Sequence, residues 1–245
     1  MRAMKMSFLT AVMIGLPTGV FAQEADTLEL DCLLAPYMTV NLGTPVPGVL
    51  SSVNVGRGDI IKKGSVLARI DSRAEKAAVE TAKARAEFAA RRMKRNEELY
   101  RDDLLSGQEK DEVATEQQMT RLELQEREAQ LSMRTIVSPV DGVVVERIKA
   151  PGEFVHETEL MQLAQIDPLN VEVIVPVAYF GSIKVGSKAD VTAANPVGGT
   201  YTARVTVVDK VIDAASDTFG VRLEIPNRDL SIPAGLRCTV LFPIG

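Results

Sequence analysis

Few side chains in this sequence are of a type and spacing to do covalent or metal chemistry. His156 is the single histidine, and His156-Glu157-Thr158-Glu159 lacks the second histidine that a helix-borne zinc site needs. No Gly-x-Ser-x-Gly elbow marks a nucleophilic serine. Met38, Met93, Met119, Met133 and Met161 are scattered, which suits packing better than soft-metal binding. Arg57-Gly58-Asp59 reads most simply as a turn. Acidic residues outnumber basic ones, 33 to 28, and there is no Trp, so a phosphate-neutralising or base-stacking surface is disfavoured. Two thiols remain, Cys32 and Cys238, one in an early and one in the last strand-like run. In an oxidising compartment they would pair, and so long a loop would gain ~4–5 kcal/mol in the chain-entropy model; the alternative is two separately buried thiols.

The elements that would position these residues begin with an export leader. Arg2 and Lys5 precede a mostly apolar Ser7–Leu16, followed by Pro17, Gly19 and a cleavage point after Ala22. That run is too short to span a bilayer, so the mature chain is expected to be exported and soluble, with no lipidation site before the cut. Residues 23–45 carry one strand, Leu28 to Leu34, among prolines. Residues 46–71 and 138–168 are two halves of one β-module. At a constant offset of 142 − 48 = 94, Gly48 falls on Gly142, Gly58 on Gly152, Asp59 on Glu153 and Ile61 on Val155. Each half is too short to bury a core, so the two must close on each other. The four glycines are expected at turns, with Gly142 in a conformation closed to β-branched residues.

Between the halves, residues 72–137 are dominated by helix formers, with no proline before Pro139. Ser72 with Glu75 forms a capping-box pattern, and Ala78, Ala82, Ala86, Ala89 and Met93 mark a thin seam. Ser106-Gly107 breaks the run, and a second helix from about Glu109 makes an antiparallel hairpin. Residues 169–245 alternate short strands with Gly, Asn and Pro turns, the pattern of a small antiparallel barrel.

In this order, SPVDGVVVERIKAPGEFV, LAQIDPLNVEVIVP, DAASDTFGVRLEIPN and IPAGLRCTV resemble the periplasmic adaptor (membrane fusion, HlyD-like) proteins of tripartite efflux pumps. The resemblance implies an α+β, mostly β chain: a split lipoyl-like module interrupted by the hairpin, then the barrel. It implies no enzyme activity and no cofactor. A lipoyl or biotin carrier would need a lysine at the turn between the halves; here the hairpin replaces that turn, and Lys62-Lys63 lies elsewhere. The family's hairpin tip carries Arg-x3-Leu-x6-Ser, matched by Arg95, Leu99 and Ser106. Those residues are thereby expected to dock an outer-membrane channel of the TolC type, although unaided they read as a solvated face, a seam residue and a helix cap. The other implied partners are an inner-membrane transporter of the resistance–nodulation–division type and further copies in a ring. An ABC-type exporter or type I secretion adaptor is the alternative. Larger adaptors add a membrane-proximal β-domain, which residues 23–45 are too short to supply.

Overall fold

Strand and helix patterns separate in space as they do along the chain. The computed structural model describes residues 27–156 and 158–244; the expected leader lies outside them. In chain order they form β1 (Thr27–Gly43), β2 (Gly48–Val53), β3 (Ile60–Ile61), β4 (Val66–Ile70), α1 (Arg73–Arg101) and α2 (Gly107–Ser132). Then follow β5 (Thr135–Val137), β6 (Gly142–Arg147), β7 (Phe154–Val155), β8 (Glu159–Pro176), β9 (Lys188–Ala193), β10 (Thr200–Val208), β11 (Thr218–Ile225) and β12 (Arg237–Pro243).

The barrel is closed. Its strands run β1-β12-β9-β10-β11-β8, and β8 pairs back onto β1. Strict alternation in β9 and near-alternation in β11 turn Val191, Val221, Leu223 and Ile225 inward, where they join Leu34, Val171, Val173 and Val240 in one core. Closure leaves no free edge.

Two strands are longer than their sequence patterns indicate. β1 does not stop near Leu34. It continues through a bulge between Pro36 and Met38, and β8 runs beside it through the same level. Their first and last portions therefore serve different cores, one in the barrel and one in the module. The buried Asn170 stands at the bulge, its amide donating to the carbonyls of Pro36 and Tyr37 at 3.2 and 3.3 Å.

The module is a pseudo-two-fold exchange of the repeated halves. Ile60 and Ile61 of β3 pair with Val143 and Gly142 of β6, while Phe154 and Val155 of β7 pair with Val49 and Gly48 of β2. The Gly58 amide donates to the Val144 carbonyl (2.8 Å) and the Val144 amide returns to the Asp59 carbonyl (3.0 Å), just as the Gly152 amide donates to Leu50 (2.8 Å) and the Leu50 amide returns to Glu153 (2.9 Å). The acid after the second glycine does the same work twice. The Asp59 carboxylate accepts from the Gly56 amide (2.7 Å), and that of Glu153 from the Ala150 amide (2.9 Å). The repeat also reaches further upstream than Gly48: Thr44 and Ser138 are both buried, and each hydroxyl donates 2.6 Å to the carbonyl two residues on.

This symmetry fixes the molecule's layout. The hairpin enters after β4 and returns at β5. The barrel strands enter and leave through the symmetry-related ends, the start of β8 and the last residues of β1. Hairpin and barrel thus leave from two-fold-related ends of the module.

Candidate partner-docking sites

At the root of the hairpin the expected capping box is absent. Ser72 makes no side-chain cap bond. Glu75 is drawn instead to Arg134, 2.6 Å away, and the same guanidinium donates 2.7 Å to the Pro47 carbonyl. Arg73 folds onto Asp71, and its hydrogen bonds hold that carboxyl below the ordinary aspartate range. The root is consequently tied to both β2 and α1 by one half-buried arginine.

Along the shaft, Ala82, Ala89 and Val113 are buried in a thin seam. Ion pairs Arg85–Glu123 and Arg92–Glu116 cross between the helices on one broad face. Leu122 and Met133 of the second helical run are exposed. Tyr100 is covered by the ammonium of Lys110, 4.2 Å from its ring centroid.

The tip is the five-residue link between α1 and α2. Arg95 and Leu99 are exposed on the last turns of α1, and Arg95 has no ion-pair partner among the described residues. Leu104 stands out furthest, 71% exposed, after Asp103 adopts φ +56° and Leu104 N–H closes onto the Leu99 carbonyl at 2.9 Å. Ser106 caps α2 in a complete box. Its hydroxyl oxygen accepts from the Glu109 amide (3.2 Å), and its own amide and hydroxyl donate to the Glu109 carboxylate (3.0 and 2.8 Å). The Ser106 amide, followed by the hydroxyl, keeps Glu109 below the ordinary glutamate value. The three sequence-matched residues thus share one end of the hairpin, but they are not equivalent: Arg95 and Leu99 face solvent, while the Ser106 hydroxyl is occupied in shaping the turn.

The four glycines divide by mechanism. Gly58 and Gly152 both have φ +89° with open space where a side chain would stand, as expected of turns. Gly142 differs from its expectation. It lies in strand β6, with no left-handed backbone, and a Cβ there would land on the carbonyl of Ala164, whose carbon is 2.8 Å away. Gly48, its partner in the repeat, would meet Ile70 Cγ2 at 2.5 Å and Arg134 at 2.7 Å. The constraint is close approach, not dihedral freedom.

The module also exposes two apolar residues at equivalent positions, Ile60 (68%) and Phe154 (64%), each beside its cross-strand valine. Sequence reading used the repeat for the core and missed this outward pair. Cys32 and Cys238 are register partners on β1 and β12, both buried, with Cα atoms 4.8 Å apart. His156 is exposed, and no cluster of metal-binding side chains occurs among the described residues. Lys62 and Lys63 are exposed, with the Lys63 amide bonded to Asp141. No helix among the described residues is long and apolar enough to cross a membrane.

The β-module thus carries the helical hairpin on one pair of strand ends and the closed barrel on the two-fold-related pair, and comparison with known proteins finds the same two parts. Residues 38–165 match the model of the CzcB-like barrel-sandwich hybrid domain, and residues 169–243 that of the CusB-like β-barrel domain. The chain belongs to the membrane fusion protein family. It is similar to the solvent efflux pump periplasmic linker SrpA of Pseudomonas putida, 22% identical over 93% of this chain and 65% of that protein. It is also similar to the nickel and cobalt resistance protein CnrB of Cupriavidus metallidurans, 28% identical over 69% of this chain and 46% of that one. Its fold matches a MacA–MexA chimera bearing the Pseudomonas aeruginosa MexA α-hairpin, with a TM-score of 0.76 and 19% identity over 90% of this chain and 80% of the chimera. The chain spans between 46% and 65% of the length of the curated relatives it matches.

Proposed function

We propose that this protein joins an inner-membrane transporter of the resistance–nodulation–division type to an outer-membrane channel of the TolC type, with the hairpin tip as the channel dock. The observation that carries this reading is the two-fold-related exit of hairpin and barrel, which gives one rigid body two separated contact ends. Each helix extends the channel end by about 40 Å at the standard rise. At the tip, Arg95 supplies an unpaired fork of donors for partner carbonyls or carboxylates, Leu99 and Leu104 supply apolar knobs, and Ser106 holds the turn that presents them. The far end of the barrel, where β8 and β10 end, carries exposed Val185 and Val211 for the transporter side. Ile60 and Phe154 make the module's two apolar flanks, suited to stacking between copies in a ring. Cys32 and Cys238 are assigned a disulfide that ties the first barrel strand to the last. The chain's chemistry is mechanical coupling rather than catalysis, and it requires no cofactor.

Photocrosslinking in cells tests the assignment, with the probe at Leu99 and controls at Lys188 and Val49. The probe sits beside the cap and not in it, so the turn survives. A channel adduct from Leu99 alone is the expected result. An ABC-type transporter captured from Lys188 would replace the pump class. A well-exported protein with no adduct at Leu99 would remove the docking role.

A further inference from the structure

The two ends of the module are equivalent in backbone and unlike in charge. Arg69 pairs with Ser52 and Thr135 at the hairpin end, and Gln162 pairs with Glu146 and Asn41 at the barrel end. These partners keep the repeat offset, since 146 − 52 = 94 and 135 − 41 = 94. At the hairpin end the Arg134 guanidinium lies against Gly48, within 2.7 Å of where a Cβ would stand, bonds the Pro47 carbonyl and pairs with Glu75. By the same offset Val40 takes the place of Arg134 (134 − 94 = 40) and Asp141 that of Pro47 (141 − 94 = 47). Val40 has no charge to offer. One end is filled by an internal pair of a cation and a carboxylate; the other is an open cleft of about 320 Å³.

The cleft lies between module and barrel, and each wall brings one charge of each sign. Lys62 and Asp141 come from the module, Arg228 and Asp167 from the barrel side. None of the four makes an ion pair among the described residues. Both walls are set by other bonds. Asp141 accepts from the Lys63 amide at 2.9 Å, and the Ser65 amide returns to the Lys62 carbonyl at 2.9 Å. Opposite, Asn227 is 1% exposed; its side chain donates to the carbonyls of Ile166 and Ile232 and accepts from the Ile232 amide. The Asn227 amide donates 2.9 Å to one oxygen of the half-buried Asp167, which leaves the other oxygen for the cleft. The Leu230 amide closes onto the Asn227 carbonyl at 2.9 Å, so the segment that carries Arg228 is pinned on both sides. Buried Ile61 and half-buried Leu230 give the cleft an apolar surface.

We infer that this cleft binds a small amphipathic zwitterion, an amino acid or short peptide with an apolar side chain. Its ammonium takes the role that the Arg134 guanidinium has at the hairpin end and meets Asp141 and Asp167. Its carboxylate meets the Arg228 fork and Lys62, and its side chain covers Ile61 and Leu230. A ligand of one sign would set its charge against two like groups, so the lining selects for both signs together. The cleft is at the small end of the range for ligand sites, which limits the occupant to a few residues. Because the walls belong to different parts of the fold, the ligand ties the barrel to the module. The site is apart from the hairpin tip and does not rest on the docking proposed there.

Titration of the protein with leucyl-leucine, followed by the methyl resonances of Ile61 and Leu230, tests the inference. Saturable shifts at both residues are expected. N-acetyl-leucyl-leucine lacks the ammonium and leucyl-leucine amide lacks the carboxylate, and each should bind about tenfold more weakly or worse. Asp141→Asn keeps an acceptor for the Lys63 amide and removes the charge, while Arg228→Gln alters an exposed side chain. Both should weaken the free dipeptide by a similar factor with melting unchanged. Blocked dipeptides that bind as well as the free one would show an apolar cleft indifferent to charge and overturn the inference. So would the absence of saturable shifts at Ile61 and Leu230, or full-strength binding by both variants.

Discussion

At the scale of single residues, the paired glycines separate two physical causes that look identical in sequence. Gly142→Ala places a methyl on a strand carbonyl that cannot retreat without breaking β8 from β6, an overpacking cost of about 1–3 kcal/mol or more. Gly152→Ala meets no atom and bears only the left-handed backbone cost, about 1–2 kcal/mol. Denaturant midpoints of both variants check the ranking, and equal losses would mean that the carbonyl moves aside. The cap at the tip gives a prediction in pH. The folded Glu109 carboxyl is held below its ordinary value of 4.5. Its bonds to Ser106 are thus at full strength above that value and are lost as pH falls through the lowered one. The Ser106 amide resonance should shift over that acidic window, and Glu109→Gln, which keeps a side-chain acceptor, should flatten the response.

At the scale of elements, what the sequence made legible was periodicity and repetition. The 94-residue offset, the helix pair and the barrel all rest on spacing, and spacing survives without knowledge of neighbours. Long-range pairing does not. The capping box at Ser72 failed because Glu75 finds an arginine 59 positions away, and β1 outran its pattern because β8 completes it. The outward pair Ile60 and Phe154 was present in the repeat, but alternation alone cannot say which face is covered. Arg95, Leu99 and Ser106 were singled out by the family resemblance, since spacing alone reads them as face, seam and cap, and their unequal exposure needed coordinates. Arg134 was missed entirely, since nothing local marks an arginine that holds two elements at once. It defines the next prediction. Arg134→Gln leaves the seam and the module core intact and removes the bond to Glu75, so the hairpin should swing about its root. Distances between spin labels at Gln108 and Val211 should broaden, with melting lowered by no more than about 1–2 kcal/mol equivalent. A single sharp distance in the variant would show that the helices are held by their strand connections alone.

At the scale of the whole molecule, β1 and β8 thread two cores, so barrel and module cannot unfold apart without breaking the same strands. The hairpin shares neither strand and contributes a thin seam. Heating should therefore give one cooperative transition for the β-parts and an earlier, shallow loss of helix. Cys32 and Cys238 act on the first of these, because they lie on β1 and β12 and enclose 206 residues of sequence separation. In the chain-entropy view a bond over so long a loop restricts the unfolded chain by about 5 kcal/mol, and typical measured gains are about 2–4. At roughly 2–4 °C per kcal/mol for a chain of this size, reduction should lower the β transition by about 4–16 °C. The helical transition, which opens no strand held by the bond, should stay where it was. Calorimetry with circular dichroism at 222 nm, on oxidised protein, reduced protein and the Cys32→Ser, Cys238→Ser double variant, resolves the two. A reduced protein that melts with the oxidised one, and takes up alkylating reagent to the same mass when denatured, would mean that the facing thiols are unbonded and that β1 is held by its hydrogen bonds and its core side chains alone.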